Sequence, residues 1–223
     1  MHNYGKDAIV IMGMQGTGKG TQGAFIVQEY GFHVIAPGDL YRAAFKRQDK
    51  QAILAKQYTD RGELAPDEIT NKLAEKEVRH NPDAKGFLLD GYPRNEKQFD
   101  AATQMLNTVA VVALFAPEEE LVERLRSRFN CGTCGKKVTM CDEKKRPICK
   151  CGGAGIRRDD DNDINSIKQR IQIYKESTEP LIEKYRKMKT KDGRSIVLDV
   201  NAAGTVEEVR EEMLKKLKEL LGK

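Results

Sequence analysis

The chain has 223 residues, of which 39% are hydrophobic and 33% charged, and a formal net charge of +5. That length accommodates one α/β domain with room for insertions, and the apolar content is too ordinary for a disordered chain. No run approaches the roughly 18 apolar residues of a membrane span. The N-terminal run Ala8 to Met14 is short and lacks a cleavage site. A cytoplasmic protein with a preference for anionic ligands is expected.

In chain order, strands are expected at 8–13, 32–36, 86–90, 109–115 and 195–200. Helices are expected at 19–30, 39–47, 50–60, 67–80, 96–107, 117–129, 164–188 and 205–221. Ile9 to Met12, Phe87 to Leu89 and Val109 to Phe115 are nearly continuous apolar runs, as a parallel sheet covered on both faces requires. Pro117 followed by Glu118, Glu119 and Glu120 suits a helix start, because proline fits the first turn and acids complement the dipole. Two stretches break the alternation, a helical block at 37–66 and a cysteine-bearing segment. The reading is therefore a core of residues 1–36, 67–129 and 162–223, with insertions at 37–66 and 130–161.

Directly behind the first apolar run comes Gly13-Met14-Gln15-Gly16-Thr17-Gly18-Lys19-Gly20-Thr21. Glycines at these spacings let the backbone wrap a polyphosphate with its N–H groups inward. The following helix adds its positive end and Lys19 adds a mobile charge. A phosphate-binding loop is the reading, with a nucleoside triphosphate as ligand. Such loops usually carry Ser or Thr after the lysine to ligate Mg2+, whereas this one has Gly20. The metal must then be held by phosphates, water and a carboxylate elsewhere. Asp90 is the candidate, because the apolar strand Phe87-Leu88-Leu89 ends there, where acidic residues adjoin phosphate loops. Gly91 permits a sharp turn, Pro93 fixes it, and Arg94 offers a planar fork to phosphate.

All five cysteines lie between 131 and 151, which argues for a metal over disulfides. Cys131-x2-Cys134 and Cys149-x-Cys151 form two knuckle-like halves. Four thiolates suit tetrahedral Zn2+ and close its coordination, making the ion structural. Cys141 is a rival fourth ligand. Lys136, Lys137, Lys144, Lys145, Arg146 and Lys150 offset the thiolate charge, and such a basic knuckle also raises a nucleic-acid-binding reading. Against it, the chain has no Trp, and no aromatic residue lies between 131 and 151. Arg124 and Arg128, spaced i, i+4, share one helix face.

The motifs together resemble the adenylate kinases and their nucleoside monophosphate kinase relatives. Gly13 to Gln22 is similar to that family's phosphate loop, with Gln15 where the family usually has Pro. Asp90-Gly91-Tyr92-Pro93-Arg94 resembles its D-G-F-P-R. Pro37 to Arg42 resembles T-G-D-L-x-R, and Gly62 to Glu68 resembles G-x-L-V-x-D-E. Thr178 to Tyr185 looks like T-x-P-L-I-x-Y-Y. The resemblance spans about residues 7 to 212.

It implies a P-loop kinase core with a parallel β-sheet flanked by helices, an inserted helical block that binds the monophosphate, and a zinc-bearing lid. The implied reaction is transfer of the γ-phosphoryl of MgATP to AMP, giving two ADP, by a monomer that engages neither nucleic acid nor membrane. ATP contacts are implied at Gly16, Thr17, Gly18, Lys19, Gly20, Thr21, Arg128 and Ala203. AMP contacts are implied at Pro37, Arg42, Glu63, Leu64, Ala65, Gly91, Tyr92, Pro93, Arg94, Gln98, Arg158 and Arg170. Catalytic charge is implied from Lys19, Arg94, Arg124, Arg128, Arg158 and Arg170. Arg157 stands as the alternative to Arg158, because one extra residue precedes Arg170. Val138 stands where the family lid has an aromatic. Pro37 replaces the hydroxyl residue that contacts the acceptor base, and Arg94-Asn95 is similar to the UMP/CMP branch. A pyrimidine or broad-specificity monophosphate kinase is therefore the alternative, with Gln98 and the long lid weighing for AMP.

Overall fold

The computed structural model describes residues 2–222 apart from 47, 49, 60, 62, 136, 139 and 158–163. The first apolar run forms β1 (Asp7–Gly13), which feeds α1 (Lys19–Tyr30). Next come β2 (His33–Ile35), α2 (Pro37–Lys46), α3 (Lys50–Thr59), α4 (Asp67–His80) and β3 (Phe87–Asp90). They are followed by α5 (Glu96–Met105), β4 (Asn107–Phe115) and α6 (Glu118–Arg126). The cysteine-bearing segment holds short strands β5 (Phe129–Cys131), β6 (Lys137–Val138), β7 (Met140–Cys141), β8 (Pro147–Ile148) and β9 (Gly155–Arg157). The last part comprises α7 (Ile164–Ile173), a π-helical turn (Tyr174–Thr178), α8 (Pro180–Lys187), β10 (Val197–Asn201) and α9 (Val206–Leu221). No helix among the described residues is long and apolar enough to cross a membrane.

Five strands form one parallel sheet in the order β10-β4-β1-β3-β2. Because side chains alternate across a strand, β1 serves two cores at once. Ala8, Val10 and Met12 pack with Met105, Leu181 and Tyr185 on one face. Ile9 and Ile11 pack with Ile26, Met213 and Leu217 on the other. Both sets are almost fully buried, which accounts for the uninterrupted apolar runs in the sequence.

Most boundaries shift by one or two residues from the sequence reading, and three of the differences have a structural cause. The helix expected at 117–129 stops at Arg126, because Phe129 pairs with Val138 and Arg157 as part of a three-stranded sheet, β6-β5-β9. The strand expected from 109 starts at Asn107, which pairs with Asp7. The long helix expected at 164–188 is divided. Pro180 has no N–H and cannot continue the helical ladder, so Glu179 N donates to Tyr174 O and the chain takes a wide turn before α8 begins. This turn matters for the site, since it presents Thr178.

Smaller clusters anchor the segments outside the sheet. Tyr41, Ala55, Ala65 and Ile69 tie α2 and α3 to α4, and Leu125, Ile167 and Ile171 join α6 to α7. β7 and β8 form a separate antiparallel pair within the cysteine segment.

Candidate active site

The loop after β1 is shaped by close approach. Gly13 has φ 148°, and a Cβ there would lie 2.6 Å from Leu114 O and 2.8 Å from Thr17 Oγ1, so no side chain fits. Lys19 folds back into the loop, its Nζ donating to Gly13 O at 2.7 Å and Met14 O at 3.0 Å. α1 opens at Gly18 with no side chain capping its first N–H groups.

The parallel register of β1 and β3 sets Asp90 opposite Ile11, one turn from the loop. A Cβ placed on Gly20 would lie 3.5 Å from Asp90 Oδ2, so the carboxylate stands beside the position where a loop hydroxyl would otherwise be. Burial raises the Asp90 pKa, and Lys19 followed by Arg94 pulls it back. Burial also lowers Lys19 to about 7; Asp90 opposes that shift, while Arg94, Arg170 and Arg128 add to it. The lowering therefore comes first from burial, with the neighbouring guanidinium charges adding to it.

A cavity of about 870 Å³ runs from this loop to α2 and to the start of α9. It draws together Lys19, Arg42, Arg94, Arg124, Arg128 and Arg170, with Asp39, Glu63 and Asp90 as its acids. Gly16, Thr17, Gly18, Gly20 and Thr21 line one end. Pro37, Leu64, Ala65, Gly91 and Gln98 line the other.

Three hydrogen bonds hold Arg94. Its N–H donates to Gln98 Oε1 at 2.9 Å, its carbonyl accepts from Thr178 Oγ1 at 2.8 Å, and its Nε donates to Gly91 O at 2.8 Å. Gly91, at φ 66°, makes room, since a Cβ there would lie 2.9 Å from Arg94 Nη2. Arg42 pairs with Asp39 one helical turn away. Arg124 pairs with Glu120 and donates to Ala202 O at 2.8 Å and Ala203 O at 3.4 Å. Its guanidinium therefore ties α6 to the loop before α9 as well as facing the cavity.

Some expected residues lie elsewhere. Tyr92 is in the core with its hydroxyl donating to Asn71 Oδ1 at 2.9 Å, and the Tyr92–Pro93 bond is cis. Neither Tyr92 nor Pro93 lines the cavity, because the strand-end turn points Tyr92 inward and leaves Gly91 and Arg94 facing out. Ala203 is also outside the lining, which is made there by Ala202, Gly204 and Thr205. Arg157 stacks over the Phe129 ring at 5.4 Å and does not line the cavity. Arg158 lies outside the described residues.

In the cysteine segment, the sulfurs of Cys131, Cys134, Cys149 and Cys151 all lie within 4.8 Å of one another, and Cys141 is not among them. Cys131 Sγ is 3.5 Å from Cys151 Sγ, and Cys134 Sγ is 3.6 Å from Cys149 Sγ. Tetrahedral Zn2+ with bonds of about 2.3 Å calls for sulfur separations of roughly 3.8 Å, so the donor set fits that ion. The N–H groups of Cys134 and Thr133 donate to Cys131 Sγ, each at 3.4 Å, and bring its thiol down to about 6. The Gly153 N–H lowers Cys151, but the hydrogen bonds of its three thiol neighbours outweigh it and leave that thiol at about 11.

The adenylate kinase family profile matches residues 11–190. An adenylate kinase from Streptomyces avermitilis is 39% identical over 220 residues, covering 94% of this chain and 96% of the relative. One from Methanosarcina barkeri is 38% identical over 218 residues, covering 94% and 98%. One from Archaeoglobus fulgidus is 35% identical over 213 residues, covering 92% and 95%. With its P-loop α/β fold, the chain belongs to the adenylate kinase family of phosphotransferases. The family implies Mg2+ with ATP, and ATP and AMP as substrates.

Sequence reasoning missed the residues that brace the site. Asp67 accepts from both Asn95 Nδ2 (2.7 Å) and Gln98 Nε2 (2.8 Å), and Thr178 reaches Arg94 from the π-helical turn. Asp67 and Thr178 both stand within recognisable motifs, yet spacing alone does not say which side chain they serve.

Proposed function

We propose that the chain transfers the γ-phosphoryl of MgATP to AMP reversibly, with Gly16 to Thr21 and Arg128 as the donor site. In this reading AMP is held by Arg42, Arg94 and Gln98, beside Glu63 to Ala65. Residues 37–66 form the acceptor block and 130–161 a lid over a core built from the rest. Both phosphates are already ionised near neutrality, so the acceptor oxygen needs no general base. The protein has to supply position, positive charge and exclusion of water.

The observation that carries this reading is the convergence of Lys19, Arg42, Arg94, Arg124, Arg128 and Arg170 on one cavity, with Asp90 beside Gly20. Lys19 exchanges its two loop carbonyls for phosphate oxygens. Arg94, Arg128 and Arg170 spread the charge of the transferring group, aided by Arg158, which lies outside the described residues. Arg124 acts chiefly by positioning the loop at Ala202 and Ala203. Asp90 would hold Mg2+ through water, and the bound ion would supply charge neutralisation between the phosphates. Cys131, Cys134, Cys149 and Cys151 would hold a structural Zn2+ that leaves no position for substrate. We place the protein in the cytoplasm as a monomer, with no nucleic acid or membrane partner.

A pyrimidine acceptor is the second reading, because Pro37 lines the acceptor end of the cavity without a hydroxyl or N–H to offer a base. A coupled assay with AMP, CMP, UMP and GMP separates the two. AMP should give the highest kcat/KM, and Lys19→Met should lower turnover by orders of magnitude with the fold intact. Equal use of CMP and UMP, or near-normal turnover in the variant, would overturn the assignment.

A further inference from the structure

Gln98 lines the acceptor end of the cavity, yet it is only 2% exposed and both ends of its amide are engaged. Its Oε1 accepts from Arg94 N at 2.9 Å, and its Nε2 donates to Asp67 Oδ1 at 2.8 Å. These two partners differ in kind. A backbone N–H can only donate, and a carboxylate can only accept. Turning the amide by 180° would set its N–H2 against the Arg94 N–H and its oxygen against the Asp67 carboxylate. Both contacts would become repulsive, so one orientation is fixed.

The anchor is itself anchored. Asn95 caps α5 with its Oδ1, which accepts from Gln98 N at 3.0 Å, and its Nδ2 donates to the same Asp67 oxygen at 2.7 Å. A single carboxylate thus sets the polarity of two neighbouring amides. Asp67 does not line the cavity and stands behind Gln98, at the first position of α4. Among the charged groups here, Arg94 is on the opposite side of Gln98 and touches it through the main chain.

We infer that Asp67 is a specificity-determining positioning residue: by locking the Gln98 amide it makes the acceptor site accept a base with an amino group and reject the same base with an oxo group. This rests on the reading above, in which Gln98 faces the base of AMP. A locked amide retains one oxygen lone pair and one N–H for a ligand, in a fixed order. Adenine offers an N–H2 donor at C6 beside the N1 acceptor, a pattern that an amide matches with two hydrogen bonds. Hypoxanthine and guanine reverse both, with an oxygen at C6 and a hydrogen on N1. To pair with them the amide would have to flip, and Asp67 and Arg94 N together prevent that. Cytosine shares the order of adenine and uracil reverses it, so CMP is rejected by size and UMP by polarity as well.

The decisive comparison is AMP against IMP, which have similar size and differ in the polarity of this edge. Removing an anchor hydrogen bond to a charged group is worth about tenfold or more. Asp67→Ala should therefore lower the ratio of kcat/KM for AMP over IMP by about tenfold, mainly through KM for the two acceptors. KM for MgATP should not move. A general loss of stability would depress both acceptors alike and leave the ratio unchanged. Should Asp67→Ala fail to fold, Asn95→Ser keeps a hydroxyl cap on α5 while removing the second donor to Asp67, and should lower the ratio about threefold.

An unchanged ratio in whichever of these variants folds, with Gln98→Ala abolishing the preference, would overturn the lock and leave Gln98 at the base. An unchanged ratio in Gln98→Ala as well would overturn the assignment of Gln98, and the lock with it. Efficient use of IMP by the unmodified protein would overturn the lock directly.

Discussion

The lowered pKa of Lys19 predicts that binding of MgATP takes up a proton. Without ligand, burial brings the ammonium to about 7, and Arg94, Arg170 and Arg128 push in the same direction, against Asp90. Once triphosphate oxygens surround it, the amine should return toward the ordinary lysine value of 10.5. At pH 8 only about one Lys19 in ten would be protonated before binding, so MgATP should bring in about 0.9 proton per site. The ATP phosphates are fully ionised at that pH and contribute little. Between pH 7 and pH 9 the same linkage weakens MgATP binding by about fiftyfold. The sign for folding is the converse. With its folded pKa depressed, the ligand-free protein binds fewer protons than the unfolded chain from about pH 7 to 10.5, so Lys19 contributes stability that rises with pH through that window. Calorimetric titration with MgATP at pH 8, in two buffers of different ionisation enthalpy, measures the uptake directly. Lys19→Met should abolish it and flatten the pH dependence. Uptake below about 0.3 proton in the unmodified protein, or uptake unchanged in Lys19→Met, would refute the reasoning.

Three further outcomes are expected. Thr178→Val keeps the shape of a 7% exposed side chain but removes the hydroxyl that donates to the Arg94 carbonyl, a loss of about 0.5–1.5 kcal/mol. kcat should fall by up to about tenfold with KM for MgATP unchanged, and Thr178→Ser should restore it, as steady-state kinetics will check. Arg42→Ala should raise KM for AMP with a modest effect on kcat, whereas Arg94→Ala should reduce kcat by a factor of 100 or more, on the order of an oxyanion-hole donor. For the metal, purified protein should contain one Zn2+ per chain by elemental analysis. Cys151→Ser should lose it and Cys141→Ser should keep it. Chelation should melt the cysteine segment before the sheet, with slow phosphoryl transfer surviving at low temperature.

The parts of this chain that were legible in its sequence are those where one physical demand acts alone. Buried parallel strands require uninterrupted apolar runs, so β1, β3 and β4 were evident, and the glycine loop and Asp90 followed from strand ends. Short strands such as β6 and β7 carry only two residues each, too few for any periodicity to register. The π-helical turn was hidden because Tyr174 to Thr178 keep helical spacing of buried positions, and only Pro180 signals the interruption. Tyr92 stands in a motif that the resemblance places at the acceptor, but an aromatic beside a turn is drawn into the core when space exists there. Asp67 was illegible for a different reason. An acid at a helix start already has a sufficient explanation in the dipole, so nothing in the sequence singled out its second duty.

Two helices, α1 and α9, begin at the wall of the same cavity, and they begin differently. Gly18 leaves the first N–H groups of α1 without a side-chain acceptor. At α9, Thr205 and Glu208 close on each other in a reciprocal capping box, with Thr205 N donating to Glu208 Oε2 at 2.8 Å and Glu208 N to Thr205 Oγ1 at 3.2 Å. One doorway is open to an anion and the other is already shut by the protein's own carboxylate. A long molecule with a charged end and an uncharged end therefore meets two unlike thresholds in the same room. An anionic group is thus favoured at the start of α1 over the start of α9.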